Sequence, residues 1–178
     1  MIHPWHDIPL GDDAPEEVRA VIEVPRGDTT KYELDPELGV LNVNRILHPP
    51  IPYPANYGFL PQTLDDDGDP IDVLVMMQNP VISLCVLRVR PIGVFKMKDE
   101  GETDDKLICV HIDDPMYSDY EEVEDLPRYE RDELKWFFNS YKDAMQKGVD
   151  VEDFEGKEAA HESIERCRKL YREKFGDK

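Results

Sequence analysis

The sequence predicts an α+β fold, a strand-built antiparallel barrel with C-terminal helices packed outside it. Three observations predict it. Through residue 112, short β-branched and apolar stretches alternate with turns rich in Pro, Gly and Asp. After residue 127, apolar residues recur at helical spacing instead. The 178 residues contain no linker, repeat or low-complexity block, so 1–178 reads as a single domain with one core.

The elements follow in order. Residues 1–16, rich in Pro, Asp and Gly, read as an irregular lead-in. Val18 to Val24 alternates and is β-branched, which predicts a strand. Pro25-Arg26-Gly27-Asp28 signals a turn, and Thr30 to Leu34 and Val40 to Leu47 are the next strands. His48 to Tyr57 carries Pro49, Pro50, Pro52 and Pro54, which excludes helix and places the stretch outside the centre of a sheet. Ile71 to Met77, Val81 to Lys96 and Lys106 to Ile112 complete the strands. The connections are short, as in an antiparallel barrel or meander. From Arg128 to Lys147, Leu134, Phe137, Phe138, Tyr141 and Met145 mark one helical face, with Gly148 as the stop. From Lys157 to Phe175, Ala160, Ile164, Cys167, Leu170 and Tyr171 mark a second, ended by Gly176.

Charge narrows the function. There are 40 acidic against 21 basic residues, a formal net charge of -19. Such a surface repels nucleic acid and anionic membranes, so neither is an expected partner. A phosphate ligand requires local cations that reverse the sign inside one pocket. The excess acid reads as adaptation to a high-salt cytoplasm, where screening removes self-repulsion, or as a plain acidic protein. Cys85, Cys109 and Cys167 form no CxxC pair and read as buried free thiols. Residues 1–20 lack the apolar core of a signal peptide, and no apolar run approaches the roughly 20 residues that span a bilayer. The expected compartment is the cytoplasm.

The segment Asp67-Gly68-Asp69-Pro70-Ile71-Asp72-Val73 carries most of the chemistry. It sets Asp67, Asp69 and Asp72 around a turn at the mouth of an apolar run. Carboxylates this close repel one another, so their pKa values rise or a cation sits among them. Asp67 and Asp69 lie two apart and can face a common space, with Gly68 giving backbone freedom and Pro70 fixing the exit. Oxygen ligands of this kind suit Mg²⁺, Mn²⁺ or Ca²⁺. Asp65 and Asp66 fit a solvated acidic turn better. An EF-hand loop fails: with Gly68 at its sixth position, Thr63 stands first and Leu74 last, where an acid and a bidentate Glu are required. A second acidic group, Asp99, Glu100, Glu102, Asp104 and Asp105, reads as a hairpin tip, with Lys106 just behind it. Glu23, Lys31, Glu33 and Arg45 lie on the first three strand candidates. Tyr53 and Tyr57 flank a rigid Pro-Ala-Asn segment, and Tyr141 and Lys142 sit together on the first helix, where Tyr141 alone would read as core. His3, His6, His48, His111 and His161 show no metal-ligand spacing.

These pieces together resemble the soluble inorganic pyrophosphatases of family I, the magnesium-dependent, barrel-forming class. The resemblance rests on IEVP at Ile22 to Pro25, KYE at Lys31 to Glu33 and NRIL at Asn44 to Leu47. It continues through YPANYGFLPQTL at Tyr53 to Leu64, DGDPIDV at Asp67 to Val73 and RPIGVFKMKDEGETDDKL at Arg90 to Leu107, and closes with FFNSYKD at Phe137 to Asp143. The DGDPIDV string is the specific signal; KYE and YKD alone are weak. Residues 113–127 and 148–157 carry no match, and Asp28 stands where members often have a small residue.

The resemblance implies an OB-like five-stranded barrel and hydrolysis of inorganic pyrophosphate to two orthophosphates. It implies Mg²⁺ as cofactor, three to four ions per site, with Mn²⁺ as a substitute and Ca²⁺ as an inhibitor. Asp67, Asp72 and Asp104 match ligands of the tightest metal, Asp72 also reaching a second. Asp99 and Asp104 match ligands of an ion arriving with substrate, and Glu23 the residue holding a fourth. Asp69 matches the acceptor of the proton from the attacking water. Lys31, Arg45, Lys106, Tyr141 and Lys142 match positions that grip phosphate oxygens; Tyr57 lies beside the nucleophile, and Tyr53 and Glu33 support the site. It further implies a prokaryotic or archaeal type and a homohexamer, and the charge adds a halophilic source. Two other classes remain at this point: an OB-like nucleic-acid binder, which would need a basic groove with exposed aromatics, and a cation-binding structural domain without turnover.

Overall fold

The computed structural model describes residues 2–99, 102–144 and 149–176, and among these the side chains of 98, 99, 102, 141–144 and 149–152 lie outside the description. The chain runs β1 (Val18–Val24), β2 (Thr30–Leu34), β3 (Leu41–Ile46), β4 (Asn56–Phe59), β5 (Asp72–Met76), β6 (Val86–Asp99), β7 (Glu102–Thr103) and β8 (Lys106–His111). A 3-10 turn at Val123–Asp125, α1 (Arg128–Ala144), β9 (Val149–Gly156) and α2 (Lys157–Phe175) follow. The strand order β1-β4-β5-β8-β6 returns to β1 through a β1–β6 pairing, which closes a five-stranded barrel. The hairpin β2–β3 stands apart as its own two-stranded sheet, and β9 adds to β6.

The α+β barrel with helices last is as the sequence predicts, with four differences. The barrel is mixed rather than antiparallel, because β5 and β8 run parallel. Pairing direction depends on the connection between two strands, and no local pattern records it. The strand expected at Val81 to Lys96 begins only at Val86, after a loop in which Leu84 takes a positive φ of 64°. Asn56 and Tyr57, expected outside the sheet centre, begin β4, which lies between β1 and β5. The prolines stop one residue short of the strand, so no ladder donor is lost. Finally, β9 had no expected counterpart. The predicted stop at Gly148 and the apolar Met145 lie outside the described residues.

In β5 and β8, period-two alternation places odd and even residues in different clusters. Leu74, Met76, Ile108 and Val110 pack with Leu134, Phe137 and Phe138 of α1. Val73, Val75, Leu107 and Cys109 pack with Ala160, Ile164 and Cys167 of α2. Gly58 lets β4 approach β1 closely, since a Cβ there would lie 1.9 Å from the Val21 carbonyl oxygen. The lead-in is irregular, yet it is anchored: Trp5 is buried and its indole N–H donates to the Thr63 carbonyl at 2.8 Å. Cys109 and Cys167 are buried free thiols, whereas Cys85 is only half-buried. Among the described residues, no helix is long and apolar enough to cross a membrane.

Candidate functional site

The barrel register brings the site together at one end. Asp72 opens β5, opposite Phe59 of β4 on one side and Lys106 of β8 on the other. The Lys106 ammonium, buried, donates to both Asp72 and Asp104. Tyr57 of β4 is buried beside them and hydrogen-bonded with Asp72. Its ring lies 5.3 Å from that of Tyr53, which in turn lies 4.8 Å from Phe137 of α1. A rigid aromatic stack therefore fixes the phenol.

Asp67 and Asp69 stand on the exposed loop that leads into β5. The loop is tied across its base. The Asp65 N–H donates to the Asp69 carbonyl at 2.7 Å, and the Gly68 N–H to the Asp65 carbonyl at 3.1 Å. Gly68 has φ 94°, a conformation that suits glycine, and the Asp67 carboxylate accepts the Asp69 N–H at 3.0 Å. Glu23 of β1 is buried and accepts the Leu34 N–H at 2.8 Å, which binds β1 to the hairpin. On that hairpin Lys31 and Arg45 are register partners. Like charges directly opposite each other destabilise a strand pair unless an anion lies between or near them. Here Glu33 lies 3.7 Å from Lys31 and accepts the Asn44 amide, and Asn44 accepts the Arg45 Nε–H at 2.6 Å.

The electrostatics show a cluster short of positive charge. Burial, then the charge of Asp72, pushes Glu23 up to about 8, the Leu34 N–H only partly opposing this. Partial burial, then the neighbouring Asp69 and Asp72, pushes Asp67 up to about 6. Asp69 is raised by desolvation, then by Glu33 and Asp72, while Lys31 and Lys106 oppose the rise. Those groups therefore share one electrostatic space. Burial and then Asp72 hold the Tyr57 phenol well above its ordinary value. Burial alone would lower the Lys106 pKa, but Asp72 and Asp104 more than reverse it and keep the ammonium charged.

Glu23 has a consequence for stability. Its folded-state value of about 8 exceeds the ordinary 4.5, so the folded chain keeps a proton that the unfolded chain releases. Its contribution to stability is complete below 4.5 and is lost as pH rises through about 8. The chelator-treated protein is therefore expected to melt at progressively lower temperature across that window, and Glu23→Gln to flatten the slope. Melting curves over a pH series check this; an unchanged slope in the variant contradicts it.

Of the residues singled out from the sequence, Tyr57, Asp72, Asp104 and Lys106 converge directly. Asp67, Asp69 and Glu23 border them; Lys31 and Glu33 of the hairpin act electrostatically on Asp69, and Arg45 is the register partner of Lys31. Asp99 ends β6, and Tyr141 and Lys142 lie near the end of α1; their side chains are outside the described residues. Among the described residues, no three carboxylates, histidines or cysteines stand together as a finished metal cage. The Lys106 ammonium occupies the place between Asp72 and Asp104. Two readings change. Asp65, expected in a solvated turn, is buried, and so is Asp105 of the expected exposed tip. Asn44, which bridges Glu33 and Arg45, carried no sequence signal of its own.

A family profile described as inorganic pyrophosphatase matches residues 20–172. Soluble inorganic pyrophosphatase 2 of Chlamydomonas reinhardtii is 50% identical over 173 residues, covering 97% of this chain and 90% of that protein. Soluble inorganic pyrophosphatase 1 of Arabidopsis thaliana is 47% identical over 171 residues, covering 96% and 81%. The crystal structure of inorganic pyrophosphatase from Thermus thermophilus superposes with a TM-score of 0.88 at 39% identity, covering 93% of this chain and 97% of that one. The Helicobacter pylori enzyme superposes with a TM-score of 0.87 at 41% identity, covering 93% and 98%.

Proposed function

The chain belongs to the inorganic pyrophosphatase family, and on that premise we propose the residue roles by which it hydrolyses inorganic pyrophosphate to two orthophosphates. The observation that carries them is the meeting of Asp72, Asp104, Lys106 and Tyr57 at the barrel end, beside the Asp67–Asp69 loop and opposite the Lys31–Arg45 pair.

The enzyme is metal-dependent, as its family is. Mg²⁺ fits the donors present, since all are hard oxygens and their mutual repulsion is what a cation relieves. Asp67, Asp72 and Asp104 would hold one ion, Asp72 also reaching a second. Asp99 and Asp104 would hold an ion arriving with substrate, and Glu23 a fourth. Mn²⁺ would substitute, and Ca²⁺ would inhibit. The position between Asp72 and Asp104 accepts positive charge already, because Lys106 supplies it there. When bound, such ions lower the pKa of water and neutralise phosphate oxygens.

Asp69 takes the proton of the attacking water. It stands exposed to incoming solvent on the loop beside the other carboxylates, within reach of a water held there. Lys31, Arg45 and Lys106 bind phosphate oxygens and offset the charge that develops in transfer, with Tyr141 and Lys142 joining from α1. Tyr57 orients Asp72. Phosphate release from pyrophosphate tests the assignment: release that requires added Mg²⁺ supports it, and none under any divalent metal contradicts it.

The proposal extends to the setting. We assign one domain over 1–178, a cytoplasmic location and a prokaryotic or archaeal type. The exposed Leu38, Val43 and Ile46 on and beside the hairpin support assembly with further copies, as a hexamer. Sedimentation should give six times the 20.7 kDa protomer mass, and a monomer contradicts this. The net charge of -19 supports adaptation to high salt. The melting temperature is then expected to rise along a potassium chloride series as screening removes self-repulsion, and a value unmoved or lowered in molar salt contradicts it.

A further inference from the structure

Behind the acidic loop and behind the start of β8 stands α2. Its Ser163 and Arg166, three residues apart and so on one face, each hold a different acidic segment. The Arg166 guanidinium donates to Asp65 at 2.9 Å and to Asp66 at 3.1 Å. Asp65 in turn closes the loop through its own N–H to the Asp69 carbonyl at 2.7 Å, and the Leu64 N–H donates to the Cys167 carbonyl of α2 at 2.9 Å. The Ser163 hydroxyl donates to Asp105 at 3.2 Å, and Lys96 of β6 donates to the same carboxylate at 2.7 Å and to the Ser163 oxygen at 3.3 Å. Asp105 is buried between Asp104 and Lys106 in sequence, and Asp65 is buried two residues before Asp67.

Buried carboxylates beside a cluster already short of positive charge are costly. Apolar residues would fix the chain more cheaply if stability were their only role. What the ion pairs add is direction: a guanidinium fork and a three-membered hydrogen-bond network hold the neighbouring backbone at set positions.

We propose that α2 is a positioning strut for the cation-binding carboxylates. Arg166 fixes the loop that presents Asp67 and Asp69, and Ser163 with Lys96 fixes Asp105 so that Asp104 and Lys106 are aimed into the site. The inference rests on the reading of Asp67, Asp72 and Asp104 as metal ligands. Arg166 and Ser163 touch neither substrate nor reacting atoms.

The test is calorimetric titration with Mg²⁺ alone, below the melting temperature of every variant. Arg166→Ala is expected to bind Mg²⁺ about tenfold more weakly, the lower end of what outer partners of metal ligands contribute. Arg166→Lys recovers only part, because one ammonium cannot fork to two carboxylates. Ser163→Ala, a small change that keeps the helix, weakens binding in the same direction. Ile164→Val, which trims the buried core of the same helix, lowers the melting temperature and leaves the affinity unchanged. Wild-type affinity in both Arg166→Ala and Ser163→Ala overturns the proposal, as does an equal loss in Ile164→Val. A wild-type protein that takes up no Mg²⁺ overturns the ligand reading itself, which separates the two failures.

Discussion

Asp69→Asn is expected to lower turnover by about 10²–10⁴-fold, the usual worth of a positioned general base. The substitution keeps the size of the side chain and removes its capacity to accept a proton. The loop survives it, because the contact that Asp69 makes across the base uses its main-chain carbonyl, which accepts the Asp65 N–H. Its backbone N–H still donates to Asp67. The loss therefore falls on kcat at saturating Mg²⁺ and pyrophosphate, and Mg²⁺ uptake changes little. Steady-state kinetics settle the matter: near-normal turnover removes Asp69 from the chemistry.

Asp72→Asn is expected to damage both binding and rate. Asp72 contacts the Lys106 ammonium, is hydrogen-bonded with Tyr57, and contributes to the raised pKa of Glu23, Asp67 and Asp69. Removing its charge takes a ligand from the cation and leaves Lys106 paired with Asp104 alone. Since loss of an outer partner already weakens metal binding by about tenfold, the loss of a ligand should weaken it by at least that much, with a fall in kcat besides. An unchanged Mg²⁺ titration would count against the role.

β1, β2 and β3, and the apolar runs of β5 and β8, could be read from the sequence to within one residue at each end. Those elements that were not visible share a physical reason. β4 begins immediately after a proline-rich run and contains Gly58, so propensity argues against a strand that tertiary pairing imposes. β9 carries Val149, Val151 and Phe154 among Asp and Glu, a spacing of two and then three that breaks the period-two pattern, so no strand signal shows. The parallel β5–β8 pair is a property of topology, which local pattern does not encode.

The site divides in the same way. Asp67, Asp69 and Asp72 declare themselves because they crowd one short segment. Glu23, Lys31 and Arg45 are ordinary strand residues by local pattern, and only the family resemblance gave them roles; the fold then places Glu23 and Lys31 within electrostatic reach of Asp72 and Asp69. Asp65 and Asp105 went the other way. Burial of an acid depends on its partners, and here they are Arg166, about a hundred residues from Asp65, and Lys96 and Ser163 for Asp105, brought from a neighbouring strand and from α2. No local reading of an acidic turn contains them.

Anomalous diffraction from crystals soaked in Mn²⁺ tests the central claim most directly. Manganese peaks should lie among the carboxylates of Asp67, Asp72 and Asp104, with the Lys106 ammonium withdrawn from between Asp72 and Asp104. Metal bound elsewhere, with Lys106 still bridging that pair, would contradict it.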